Sequence, residues 1–259
     1  MKKHYQFSAP GRTEIGGNHT DHQHGCVLAA AVNLETLADV SLNASDTIWV
    51  RSEGYPAFGV DLTDLNIREE EKNTTAALVR GVAAAFAQRG AKLQGFDMVV
   101  TSTVLPGSGL SSSAAFEVLV GTILNELFFE RKLSAIEIAQ IGQYAENVYF
   151  GKPCGLMDQM ASSVGGMVYI DFADSENPIV EKIDFDFQKK GYDLCIIDSG
   201  ADHADLTDEY AAITRELKEL CAFFGKDYLR QIPETDFMAA LPKLRETVSD
   251  RAILRAMHV

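Results

Sequence analysis

The order of elements predicts an α+β chain, and three observations carry that expectation. An apolar, alternating run from Phe96 to Leu105 enters a glycine–serine loop and leaves it into an apolar helical stretch, Ala114 to Phe129. Residues 36–43 and 46–51 alternate around a turn-like Ala44-Ser45 and read as an antiparallel pair. From Leu206 onward, helical periodicity dominates.

The remaining elements follow in order. Residues 5–35 hold a short strand, a polar turn-rich stretch from Gly11 to Gly25, and a second strand from Cys26 to Val32. The glycines and histidines of the polar stretch suit neither a helix nor a plain strand interior. Residues 57–62 add a third short strand, and 66–74 read as a surface loop or helix entry. Thr75 to Arg89 is an Ala- and Val-rich helix stopped by Gly90. Ser134, with Glu137 three residues on, opens a capped helix reaching Phe150. Gly151-Lys152-Pro153-Cys154-Gly155 breaks it, and Leu156 to Ser163 forms a short helix with Met157, Met160 and Ala161 inward. Strands are expected at 167–171, at Ile179 to Phe187 as a half-buried strand, and at Leu194 to Ile197 as a fully apolar core. Leu206 to Phe224 is a long helix ended by Gly225. Leu244, Val248, Ala252, Ile253, Ala256 and Met257 then continue one helical stripe to the last residue, with no cap after it. A stripe of that kind is stabilised by burial, so the chain is expected to be a fragment of a longer protein.

Composition narrows the function. With 259 residues and 46% hydrophobic content, the chain can bury the core of one large or two ordinary domains. A formal net charge of −14 argues against non-specific nucleic-acid binding. An acidic protein that binds a nucleotide must concentrate positive potential locally. No apolar signal core or membrane-length run is present, so neither a membrane nor a nucleic acid is an expected partner. Cys26, Cys154, Cys195 and Cys221 are scattered and read as reduced thiols of a cytoplasmic protein.

The loop is Pro106-Gly107-Ser108-Gly109-Leu110-Ser111-Ser112-Ser113. Strand, loop and helix in this order place unpaired backbone N–H groups and the positive end of a helix dipole together, which favours an anion. Gly107 and Gly109 allow close backbone approach, and the serines offer hydroxyls for phosphate oxygens or magnesium. It is not a Walker A loop, because no Lys follows the glycines. A serine-capped βα turn is the plain alternative.

Three further groups could carry chemistry. Arg12 is a fixed-charge donor for phosphate or carboxylate, and His19 and Asp21 suit sugar hydroxyls. A solvated loop, or a metal site from His19, His22 and His24, stays open for that stretch, although the spacing is not that of two ligands on one helical face. Asp158, flanked by Met157 and Met160, is either a helix-terminal charge or a carboxylate beside a substrate hydroxyl with Arg12 as its partner. Glu146 is either a surface glutamate or a magnesium ligand acting with a loop serine.

The segments APGR-x₆-HTDH, LPGSGLSSSAA and GKPCGLMDQ, in this order, closely resemble the galactokinases, members of the GHMP small-molecule kinases. Ser199 to Glu219 is also similar to the segment that contributes a sugar-contacting tyrosine. The resemblance implies transfer of the ATP γ-phosphoryl to the anomeric hydroxyl of α-D-galactose. It implies Asp158 and Arg12 as the catalytic pair, and Asn18, His19, Asp21, Gly155 and Tyr210 at the sugar. It implies Gly107, Ser108, Gly109, Leu110, Ser111, Ser112 and Ser113 at ATP, with Ser112 and Glu146 on Mg2+. The implied fold has a ribosomal-protein-like first domain (1–190) and the start of a truncated ferredoxin-like second domain (191–259). Other readings are a kinase for N-acetylgalactosamine or a related sugar, and a non-catalytic sugar-responsive regulator. The chain departs from the family's G-E-H-T-D-Y at Asn18 and His22. Asn18 loses a charge-assisted hydrogen bond worth ~1 kcal/mol, which leaves C2- or C6-modified sugars open. The family's final glycine-rich motif is absent.

Overall fold

A computed structural model describes residues 3–197 and 207–259, with strands and helices grouped in runs along the chain. Among the described residues the strands are β1 (His4–Gly16), β2 (Cys26–Leu42), β3 (Thr47–Ser52), β4 (Phe58–Asp61), β5 (Phe96–Ser102), β6 (Met167–Asp171) and β7 (Ile179–Ile183). The α-helices are α1 (Thr75–Gln88), α2 (Ser112–Phe128), α3 (Ala135–Tyr144), α4 (Met157–Val164), α5 (Thr207–Phe223), α6 (Glu234–Thr247) and α7 (Asp250–His258). No helix among the described residues is long and apolar enough to cross a membrane.

The chain forms two compact units, Met1–Thr13 with Ala30–Gly166, and Glu14–Ala29 with Met167–Val259. In the first, the strand order is β4-β3-β5-β2, with β1 beside β2. β5 is antiparallel to β2 and parallel to β3. Period-2 alternation puts Phe96, Met98 and Val100 of β5 inside, while Val99 faces out. Val82 and Phe86 of α1 and Leu119 and Ile123 of α2 pack into the same core as these residues. Each such side chain fully removed from water contributes about 1.5–3 kcal/mol.

Four strand expectations change, two of them before β5. Residues 36–43 and 46–51 do not pair, because β5 lies between them. The connecting turn closes over the start of β5: Asn43 N–H donates to Gly95 O, and Gly95 N–H donates to Ser45 O at 2.7 Å. The Asn43 side chain reinforces this by donating to Thr47 O and Asp97 Oδ1. β1 also runs on through Gly16, well into the stretch whose glycines argued against a strand.

In the second unit β6 and β7 form an antiparallel pair, and Phe172 N–H reaches Gly25 O just before β2. β7 stops at Ile183 and is mostly exposed, shorter than the expected run to Phe187. Leu194–Ile197 is not a strand. Ile197 is 87% exposed, and no strand among the described residues pairs with the run, so it gains neither ladder bonds nor burial. The helical core is Leu220, Phe237, Leu244 and Ile253. The expected continuous stripe is divided at Val248, because the Ser249 hydroxyl accepts from Ala252 N–H and starts α7 as a separate helix.

Arg80 of α1 is buried, and its Nε and Nη2 grip both oxygens of Glu71 at 2.7 and 2.6 Å. Its Nη1 also donates to Asp64 O, tying the β4–α1 connection to the helix. Arg80→Met should lower the stability of the first unit by about 2 kcal/mol, because Glu71 loses two charge-assisted hydrogen bonds and keeps only Arg68 Nη1 at 3.7 Å. Urea unfolding followed by the fluorescence of Trp49 measures it, and a loss below about 0.5 kcal/mol would show that the pair does not hold this connection.

Candidate active site

The candidate site is built on the loop between β5 and α2. Its glycines behave as the sequence requires, with φ of +74° at Gly107 and +75° at Gly109. Ser111 precedes the helix and also sits in the left-handed region, at φ 57°, a conformation that costs a non-glycine residue energy. Its hydroxyl does not cap the helix; it donates to Asp158 Oδ2. The plain reading of Ser111 as a helix cap therefore fails, and the first N–H groups of α2 are left without a side-chain acceptor from Ser111.

Asp158 stands in the first turn of α4. Its Oδ1 accepts from Arg12 Nε at 2.8 Å. Arg12 Nη1 donates to Gly109 O at 2.6 Å, and Arg12 N–H donates to Leu110 O at 3.1 Å. One arginine on β1 thus fastens both the loop and the carboxylate. Asp158 is both a charge in the first turn of α4 and a partner of Arg12, and its side chain remains 35% exposed.

Glu146 is not a surface residue. It lies on a π-helical turn, Ala145–Phe150, that continues α3, and it is 3% exposed. Turns of this kind re-aim side chains and are frequent at functional sites. Gly81 of α1 lets the turn come close: a Cβ there would meet Ala145 Cβ at 2.8 Å. Glu146 Oε1 faces Ser113 Oγ at 3.5 Å and Lys152 Nζ at 3.4 Å. The serine brought to Glu146 is Ser113, next to Ser112.

Behind Glu146 lie two residues that the sequence did not single out. Gln159 Nε2 donates to Glu146 Oε2 and to Glu117 Oε2, both at 2.9 Å, and Glu117 and Gln159 are fully buried. Burial, with Glu146 close by, holds the Glu117 carboxyl well above the ordinary glutamate range. Burial followed by the charge of Glu146 pushes the Cys154 thiol up as well. A signal for Glu117 existed in the sequence: it is the one charged residue in the mostly apolar stretch Ala114–Leu124 of α2.

Asn18, His19 and Asp21 belong to the second unit. Asp21 Oδ1 accepts from His22 N–H at 2.9 Å and from the His22 ring Nδ1 at 3.0 Å. His24 stacks on Tyr228, with ring centroids 3.7 Å apart. Among the described residues no group of three or more His, Cys, Asp or Glu is placed to hold a metal. Gly155 is in the first unit, in the irregular stretch before α4. Tyr210 falls on α5, and its side chain lies outside the described residues.

Two family models match the chain: GHMP kinases N terminal domain over residues 77–166, and the galactokinase galactose-binding signature over residues 2–42. A galactokinase from Actinobacillus pleuropneumoniae serotype 3 (strain JL03) is 32% identical over 267 residues, covering 100% of this chain and 68% of the relative. The chain belongs to the galactokinase family. A galactokinase from Streptomyces coelicolor is 32% identical over 249 residues, 96% of this chain, and the chain spans 64% of the length of that relative. The structure of Lactococcus lactis galactokinase complexed with galactose superposes with a TM-score of 0.77 at 24% identity, over 98% of this chain and 66% of that one. Methanococcus jannaschii mevalonate kinase gives a TM-score of 0.60 at 17% identity, over 72% of this chain and 58% of that one. The mixed α/β architecture is that of the GHMP kinases.

Two histidines near Asp21 are expected to titrate in opposite directions. Burial works against the charged form of His22, but the hydrogen bond and charge of Asp21 outweigh it and raise its pKa above the ordinary 6.5. Burial, then the neighbouring His22, lowers that of His19. Below pH 6.5 the His22 ring is protonated both folded and unfolded, so its contact contributes fully; the contribution is lost as pH rises through the higher folded value. NMR titration of the imidazoles checks the order, and Asp21→Asn should bring His22 down. A His22 midpoint below that of His19 would contradict the placement of this pair.

Proposed function

We propose that the chain is the nucleotide- and sugar-binding portion of an ATP-dependent hexose kinase that phosphorylates the C1 hydroxyl of α-D-galactose. The observation that carries it is the meeting of Asp158, Arg12 and the 107–113 loop, with Asp158 Oδ1 at 2.8 Å from Arg12 Nε. Family membership and the galactose-binding signature over residues 2–42 support the sugar.

Phosphoryl transfer passes through a loose transition state, so positioning and charge neutralisation carry most of the catalysis. The loop from Gly107 to Ser113 and the N-terminus of α2 receive the phosphates. Asp158 orients the sugar hydroxyl and takes its proton as the O1–P bond forms and the bond from Pγ to the leaving ADP oxygen breaks. Arg12 holds the carboxylate by a charge-assisted bond, and the guanidinium also steadies the transferring group. Asn18, His19, Asp21, Gly155 and Tyr210 are assigned to the sugar.

The family implies Mg2+. The donor set fits it: one buried carboxylate, Glu146, with a serine hydroxyl 3.5 Å away, is the kind of oxygen site that Mg2+ shares with substrate phosphates rather than a dedicated cage. Glu146 with Ser112 or Ser113 would hold the ion, which supplies charge neutralisation on the phosphate oxygens when bound.

In the full reading frame, Asp158→Asn should lower kcat at least about 10³-fold while ATP affinity changes less than about threefold. Turnover near wild type would remove Asp158 from the mechanism. A panel of sugars with labelled ATP tests the substrate. Galactose should be used well above glucose and mevalonate, and a preference for N-acetylgalactosamine would follow from the changes at Asn18 and His22 and replace galactose in the assignment.

A further inference from the structure

Glu146 has two sides. Oε1 faces the loop at Ser113, and Oε2 is gripped from behind by Gln159. The grip is built with some cost. Gln159 and Glu117 are fully buried, Glu146 nearly so, and an apolar trio of the same volume would be more stable. Both oxygens left over in the cluster, Gln159 Oε1 and Glu117 Oε1, lack a hydrogen-bond partner. The surroundings are shaped to admit it. A Cβ on Gly142 of α3 would meet Gln159 Cγ at 3.1 Å and Glu117 Cβ and Oε2 at 3.2 Å. Gln159 also follows Asp158 directly on α4, so one helical turn carries the carboxylate that faces Arg12 and the amide that faces Glu146.

We propose that Gln159, anchored on Glu117, is a positioning residue that fixes the Glu146 carboxylate for the divalent cation of a bound nucleotide. The inference rests on the kinase reading above. Gln159 offers two N–H donors from one nitrogen, and each goes to a different carboxyl group; Glu117 sets the direction of the amide, and the amide sets Glu146. Asp158 and Glu146 are then held to a common frame, α4, instead of to two independently moving elements. Gln159 touches neither sugar nor phosphate in this account; it acts through Glu146.

The test is binding of Mn2+, a paramagnetic substitute for Mg2+, measured by electron paramagnetic resonance in the presence of a non-hydrolysable ATP analogue, on the full-length protein. Gln159→Met and Glu117→Leu should raise the Mn2+ dissociation constant about tenfold, as loss of a ligand's orienting partner does, with galactose KM little changed; the melting temperature falls as well, because each removes a buried polar partner. Glu117→Gln keeps an acceptor oxygen for the amide and should lose at most about threefold. Should Gln159→Met fail to fold, Gly142→Ala, which presses on both side chains, should give an intermediate loss. Unchanged Mn2+ affinity in folded Gln159→Met or Gly142→Ala, or equal losses in Glu117→Gln and Glu117→Leu, would overturn the proposal. Wild-type protein that binds Mn2+ with the analogue but phosphorylates no hexose would remove the sugar assignment and leave the affinity ratios to decide the role of Gln159. Wild-type protein that binds no Mn2+ with the analogue overturns both.

Discussion

A guanidinium on the first strand and a carboxylate on the fourth helix, 146 residues apart in the chain, share a 2.8 Å charge-assisted bond. The same arginine holds the carbonyls of Gly109 and Leu110. Without that arginine the loop before α2 would keep its strained Ser111 but lose its outer anchor, and Asp158 would be a half-exposed acid with one serine for company. Everything proposed about phosphate and proton depends on the loop and the acid keeping one geometry. Strain at Ser111 fits this role, because an uncommon backbone conformation persists only where its surroundings over-determine it.

Behind this exposed layer is a buried one. Glu117, Gln159 and Glu146 bring two carboxyl groups and an amide into the buried interior of the helices. Small residues make the space. Gly81 admits the π turn that carries Glu146, and Gly142 admits the Glu117–Gln159 pair. The two layers meet on α4, where adjacent residues serve one each. The stability lost by burying the polar trio is supplied by the large core between the sheet and helices α1 and α2.

Much of this was legible in the residues, and the misses have physical causes. The loop glycines, the Ser134–Glu137 capping box and the break at Gly151 are local devices, and local devices are written in neighbouring residues. Arg12 and Asp158 could be matched through family resemblance, but their contact is long-range and no periodicity encodes it. The pairing of 36–43 with 46–51 failed because a hairpin and a split pair look alike locally; only the carbonyls around Gly95 show that β5 enters between them. Leu194–Ile197 failed because an apolar run specifies a strand only where a partner edge waits for it. Glu117 and Gln159 were overlooked because each alone has an ordinary alternative, and their meaning arises only from the shared amide.

The Arg12–Asp158 tie is the contact on which the site depends most directly, and a double-mutant cycle measures it. Arg12→Ala, Asp158→Asn and the double variant would be compared by urea unfolding followed at Trp49. With Asp158 about one third exposed, the pair should be coupled by about 1 kcal/mol. Effects that add within about 0.3 kcal/mol would mean that the two side chains do not meet, and the site described here would have no centre.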